Sequence, residues 1–245
     1  IQGLRVVQRL LGYTAQQTLD YAQSLYEKRL LTYPRTDSRY LPQGMTEKAR
    51  ELAAYAAAAL PFAAGLSLPC HPRQLAGKVS DHHALLPTAA LRDHPLDALP
   101  AGERSVLTLV ATRLLCAAGE ACVMLETTAR LECEGVSFTA RGRRTMHPGW
   151  KALDAAFRAT LRSREREEEA DGLPPLNERM TFLPVTASVR EGKTTPPERY
   201  SEDTLLSAME NAGKENTPKD AERRGLGTPA TRAAIIEKLL KSGLA

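Results

Sequence analysis

The chain of 245 residues is long enough for one or two domains with a real core. Its 33 Lys and Arg against 29 Asp and Glu leave a formal charge of +4, which permits a nucleic-acid partner but lacks the dense excess of a DNA coat. With 42% hydrophobic and 25% charged residues it is not a disordered chain, and no apolar run approaches the ~20 residues of a membrane-spanning helix.

The chain opens on Ile1 rather than Met, with neither the charged nor the apolar region of a signal peptide. It closes on Ser242-Gly243-Leu244-Ala245 directly after a helical pattern, so both ends read as cuts from a longer protein. Thr14 to Leu30 reads as a helix. Thr14 and Gln17 have capping-box spacing, and Leu19, Ala22, Leu25 and Tyr26 recur at helical intervals. Tyr33-Pro34 then forces extended backbone at Tyr33. Thr46 is a cap for a second helix, Glu47 to Leu60, closed by Pro61, and Leu66 to Arg73 is a Pro-punctuated loop. Pro100 to Ala118 predicts a third long helix with Leu107, Val110 and Leu114 on one face.

The texture changes after that. Val123, Leu125, Thr127, Ala129 and Leu131 alternate with other residues, as do Val136, Phe138 and Ala140, and Glu134-Gly135 between them signals a hairpin turn. Phe182 to Arg190 is a further strand candidate. Arg141 to Arg166 is basic, and Arg141, Arg143, Arg144, Lys151 and Arg158 read either as a DNA-facing patch or as a solvated sheet edge. The acidic run Glu165 to Asp171 reads as a solvated loop. Ser201 is placed to cap a helix with Glu202 and Asp203 in its first turn, ending at Gly213. Thr228-Pro229 opens a last helix with Ile235, Ile236, Leu239 and Leu240 turned inward and Gly243 as its stop. Cys70, Cys116, Cys122 and Cys133 form no C-x-x-C pair, so they read as free thiols rather than a zinc ribbon.

The chemistry concentrates in Leu31-Thr32-Tyr33-Pro34-Arg35-Thr36-Asp37-Ser38-Arg39-Tyr40. On extended backbone Tyr33 and Arg35 point the same way. A phenol is a weak nucleophile until it loses its proton, and a neighbouring cation favours the phenolate. The same guanidinium can bind a phosphodiester and offset transition-state charge. Attack by a tyrosine makes an aryl phosphodiester with a good leaving group, so cutting and resealing need no ATP.

Leu25 to Pro42, "LYEKRLLTYPRTDSRYLP", resembles the active-site tyrosine segment of type IA DNA topoisomerases, especially bacterial topoisomerase III. Ser80 to Thr88, "SDHHALLPT", resembles the family's histidine motif. Pro196 to Leu239, "PPERYSEDTLLSAMENAG" through "GLGTPATRAAIIEKL", resembles its late motifs, so three segments agree in the family's order. By this resemblance Tyr33 is the nucleophile that forms a 5′-phosphotyrosyl link to single-stranded DNA. Arg35 positions the scissile phosphate and His82 lies near the cleavage site, with His83 next to it. Lys78, Asp37 and Arg39 are DNA-contacting or orienting neighbours. Arg199, Thr228, Thr231 and Arg232 match contacts to the incoming strand, while Gly225, Gly227 and Pro229 serve equally well to shape a turn.

The resemblance implies a mainly α fold with a smaller β part. Residues 1–118 would be a catabolite-activator-like helical domain bearing the tyrosine. Residues 119–189 would be a strand-rich arch or hinge, and residues 190–245 part of a helical domain that grips single strands. The implied setting is the bacterial cytoplasm, at the nucleoid, with no membrane partner. Family members also carry an N-terminal Toprim domain whose D-x-D-x-E cluster holds Mg2+. Only 32 residues precede Tyr33, and the late acids Glu165, Glu167, Glu168, Glu169 and Asp171 lack that motif, so no metal site is expected in this chain. The chain therefore reads as a piece that needs the Toprim domain as partner and is inactive without it. Two rivals stand beside this. A tyrosine recombinase is disfavoured because none of His71, His82, His83, His94 or His147 has Arg three residues on. A non-catalytic helical DNA-binding module is separable by Tyr33→Phe.

Overall fold

A computed structural model describes residues 2–36, 38–65, 82–161, 172–186, 188–189, 191–213, 225–228 and 230–243. The chain divides into two compact units. One comprises residues 1–120, 149–163 and 200–245, and the other residues 121–148 and 164–199. The described residues are mainly helical with one small sheet, which agrees with the expected mainly α fold. No described helix is long and apolar enough to cross a membrane.

The first unit holds α1 (Gln2–Leu11), α2 (Ala15–Glu27), α3 (Thr46–Ala59), α4 (Ala101–Ala118), α5 (Trp150–Thr160), α6 (Glu202–Asn211) and α7 (Arg232–Lys241). The predicted capping box is present: Thr14 Oγ1 accepts the Gln17 amide at 3.1 Å, and Gln17 Oε1 accepts the Thr14 amide at 3.0 Å. Helix α4 packs against α2, α3 and α5. That explains why it buries Val106, Leu107, Leu109, Leu114 and Leu115 on several sides instead of presenting one stripe. Leu107 and Leu114 lie in the core as expected, with Val110 half-buried. Helix α5 is fixed by buried Asp154, which meets Arg113 Nη1 at 2.9 Å and Arg158 Nε at 2.8 Å.

Local expectations shift in two places. Thr46 is the first residue of α3 rather than its cap, because a short 3-10 turn, Gln43–Met45, leads straight in and Thr46 Oγ1 donates to the Gln43 carbonyl at 2.9 Å. Helix α7 starts at Arg232, after Thr228 to Thr231 close a turn of their own. It covers the unit's edge, so Ile236 is buried but Ile235 and Leu240 stay 39% and 49% exposed, against the expected inward face.

A second small core joins the ends of the chain. Ala15 of α2 packs with Leu206 and Met209 of α6 and with Ala233 and Ile236 of α7. Ser201 caps α6 with Thr204 in the reciprocal role. Glu202 in the next position accepts the Ala15 amide at 2.9 Å, so an acid at one helix start also satisfies the start of another.

The second unit is built on an antiparallel hairpin, β1 (Val123–Cys133) and β2 (Val136–His147). Glu134 and Gly135 take φ of 47° and 77°, the left-handed pair that a tight hairpin turn requires. Leu125, Ala129, Leu131, Phe138 and Ala140 share one face, while Glu126, Thr128, Arg130, Arg141 and Arg143 share the other. Leu173 lies over Gly142, where any Cβ would run into it. Within the hairpin the basic run is split between faces, with Arg144 on the side away from Arg141 and Arg143, while Lys151 and Arg158 belong to α5 in the first unit. The described residues of the strand candidate Phe182 to Arg190 form no strand, since Pro184 removes a ladder donor at its middle. The loop Leu66 to Arg73 and the acidic run Glu165 to Asp171 lie outside the described residues.

Candidate active site

The tyrosine segment begins where α2 stops. Lys28 and Ser24 both bond the buried Glu103 of α4, at 2.5 Å and 2.9 Å, which ties the end of α2 to the central helix. Arg29 then takes a left-handed φ of 60° and turns the chain. Leu30 and Leu31 follow, both fully buried. Next to them the backbone pairs with Leu86 to Thr88: Thr88 donates to the Leu30 carbonyl at 3.0 Å, Leu31 bridges Pro87, and Thr32 donates to the Leu86 carbonyl at 2.9 Å. An amphipathic helix end, two leucine anchors and a short ladder therefore place Tyr33.

The Tyr33 ring is half-buried. It lies against the His82 ring at 4.6 Å between centroids, tilted by 42°, and takes Tyr26 edge-on at 5.8 Å. Arg35 is exposed and has no ion-pair partner among the described residues. His82, in the second motif, is exposed, and His83 is half-buried with Nδ1 at 2.6 Å from the Ala84 carbonyl. That contact requires a proton on Nδ1, which makes this nitrogen the donor. The Ala84 amide donates to the Tyr40 carbonyl at 2.9 Å, a second stitch between the tyrosine and histidine segments. Arg39 reaches Glu210 of α6 at 3.7 Å. Lys78 and Asp37 lie outside the described residues.

The structure thus brings Tyr33 and His82 into contact and joins their segments. From Tyr200 onward the late motif is in the same unit. Thr228 and Thr231 are exposed, with hydroxyls 3.1 Å apart, and the Thr228 amide is taken by Thr231 Oγ1 at 2.9 Å. Arg232 is only 3% exposed and its Nε donates to the Leu226 carbonyl at 2.8 Å, so it braces the turn. Gly225, at φ 62°, sits where a Cβ would strike the Met209 and Glu210 carbonyls. Arg199 is exposed and belongs to the other unit. Sequence reasoning missed Tyr26, Thr32, Thr88, Glu103 and Glu210. Tyr26 reads as one more apolar helix position, and nothing in the sequence marks the acids that α4 and α6 deliver from far along the chain.

A phenol, a guanidinium and imidazoles are the side chains that these two segments carry. Among the described residues no group of three or more His, Cys, Asp or Glu side chains is placed to hold a metal ion.

The family model described as DNA topoisomerase matches residues 4–245. DNA topoisomerase 3 of Bacillus subtilis strain 168 is 36% identical over 258 residues, covering 98% of this chain and 34% of the relative. DNA topoisomerase 3 of Vibrio cholerae serotype O1 is 36% identical over 248 residues, covering 95% and 36%. That of Bacillus licheniformis is 35% identical over 266 residues, covering 98% and 34%. The chain spans about a third of the length of these relatives. With the family match running almost from end to end and the tyrosine and histidine motifs joined at one place, the chain belongs to the DNA topoisomerase family, on its type IA, topoisomerase III-like branch.

Proposed function

We propose that this chain is the tyrosine-bearing part of a type IA topoisomerase that cuts and reseals one DNA strand. Tyr33 Oη attacks the scissile phosphorus. The new bond is to the 5′ side of the break, the phenol gives up its proton, and the departing 3′ oxygen gains one. Arg35 binds the phosphate and offsets the charge that builds on it. Resealing is the reverse attack by the 3′ hydroxyl, driven by the aryl leaving group without ATP. His82 lies against the tyrosine ring, where it orders the site. One observation carries this reading: Tyr33 is held half-buried against His82, and two residues on Arg35 is exposed with no ion-pair partner among the described residues.

The remaining roles belong to the same proposal. Single-stranded DNA is the substrate, and residues 1–118, 119–189 and 190–245 act as tyrosine domain, arch and strand-gripping segment. Asp37, Arg39, Lys78, His83, Arg199, Thr228, Thr231 and Arg232 line or shape the DNA path. Mg2+ takes oxygen ligands, and among the described residues no group of three or more such side chains is placed to hold it, so no step runs through it here. The ion belongs with a Toprim domain, and without that partner the chain does not relax supercoiled DNA. The setting is the bacterial cytoplasm, on the nucleoid.

The test is a chimera in which this chain replaces the matching third of the Bacillus subtilis relative. It should form a covalent adduct with single-stranded DNA, and Tyr33→Phe should abolish the adduct while binding persists. An adduct that survives Tyr33→Phe refutes the nucleophile, and a chimera that binds but never forms one supports the non-catalytic module. Binding by the chain itself should weaken steeply as salt rises.

A further inference from the structure

We infer that Thr32 is a positioning residue that sets the Tyr33–His82 contact through its side-chain hydroxyl; the inference rests on the proposed role of Tyr33. Residues directly opposite each other at a bonded site of an antiparallel pair normally exchange two backbone hydrogen bonds. Thr32 gives its amide to the Leu86 carbonyl at 2.9 Å. The return bond does not go to the Thr32 carbonyl: the Leu86 amide donates to Thr32 Oγ1, also at 2.9 Å. A side chain therefore closes the ladder in place of the backbone. The chain can leave the pairing at once, and the next residue is Tyr33.

The other end of this short ladder is closed in kind. The Leu30 amide returns to the Leu25 carbonyl of α2, and Thr88 Oγ1 donates to the Arg29 carbonyl at 2.5 Å. Pro87, in the middle, has no amide to give. The two segments are thus held by few bonds, and the Thr32–Leu86 exchange is the one nearest Tyr33. Leu86 is only 4% exposed, so its amide has no water to turn to if the hydroxyl is removed. The next stitch, Ala84 to Tyr40, holds the histidine segment two residues from His82 but meets the other segment seven residues past Tyr33. Without the Thr32 hydroxyl the Leu86 amide loses its acceptor, and the histidine segment is held next to Tyr33 by the Thr32 amide alone.

Thr32→Val keeps the shape and removes the acceptor; Thr32→Ser keeps the acceptor. NMR of the chain reads the contact directly, because the Tyr33 ring displaces the His82 imidazole proton signals, with Tyr33→Leu as the zero point. Thr32→Val should lose about half or more of that displacement, and Thr32→Ser should retain it. A displacement unchanged in Thr32→Val, or lost equally in Thr32→Ser, overturns the inference even where stability falls. Should Thr32→Val not fold, the unaltered chain decides: its Leu86 amide should exchange with solvent at least ~100-fold slower than an open loop amide, and fast exchange overturns the inference. In the chimera Thr32→Val should slow adduct formation about tenfold at saturating DNA, with half-saturation unchanged and Thr32→Ser within about twofold. An adduct that survives Tyr33→Phe would remove the catalytic reading and leave the NMR result standing.

Discussion

Residues 29–36 and 38–40 contain almost no regular secondary structure, whereas residues 123–147 form a long hairpin. The irregular segment is nonetheless the better fixed. Its leucines are fully buried, its turn is tied to Glu103, and its backbone is stitched to the histidine segment. The hairpin's ladder runs unbroken from Met124 to Cys133, with one register shift at Val123, but Val136 and Phe138 on its apolar side are each 55% exposed. Regularity satisfies backbone groups, while burial fixes side chains, and an active site needs the second.

The widest test of that contrast is truncation. Leu31→Ala empties a packed site beside Tyr33 and should cost about 2–5 kcal/mol by denaturant unfolding. Phe138→Ala in the hairpin should cost less than about 1 kcal/mol. Equal costs would mean that the hairpin's apolar face is as buried as the tyrosine segment's anchors. Charge gives the next contrast. Asp154→Ala leaves Arg113 and Arg158 without their buried carboxylate and should cost about 2–4 kcal/mol. Arg143 pairs with Glu126 on the exposed hairpin face, and Glu126→Ala should change stability by less than about 1 kcal/mol.

The thiols carry the comparison into pH. Burial pushes the Cys116 thiol up to about 12, while Cys133 at the hairpin tip is exposed. A thiolate alkylates and a thiol does not, so at pH 8 iodoacetamide should label Cys133 at least ~10-fold faster than Cys116. Because the folded chain keeps the Cys116 proton, this group's contribution is whole below the ordinary value of 9.0 and is lost as pH rises toward about 12. Equal labelling would mean that α4 opens at Cys116 as readily as the hairpin tip.

Much of this was legible in the sequence where the signal is local. Thr14 with Gln17, Ser201 with its acids, and Glu134-Gly135 each encode a cap or turn within four residues, and each is found. The family motifs single out Tyr33 and His82, whose rings lie in contact. What failed depended on neighbours. Ile235 and Leu240 look like core positions, but their exposure depends on what lies beside α7. Thr32 looks like any hydroxyl residue before a tyrosine. Its role appears only when Leu86, 54 positions later, offers an amide with no other acceptor.

The smallest effect concerns Arg39 and Glu210, the ion pair between the tyrosine segment and α6. The two side chains are 54% and 29% exposed and 3.7 Å apart, so water screens most of their attraction. Glu210 also lies in the last turn of α6, where the helix dipole disfavours an acid. These terms oppose each other, and Glu210→Gln should shift the unfolding free energy by less than about 0.5 kcal/mol in either direction. A double-mutant cycle with Arg39→Gln should give a coupling below about 1 kcal/mol that fades by 0.5 M salt. A larger, salt-resistant coupling would mean that the pair is shielded from water. The tyrosine segment would then be anchored to α6 by charge as well as by its leucines and its short ladder.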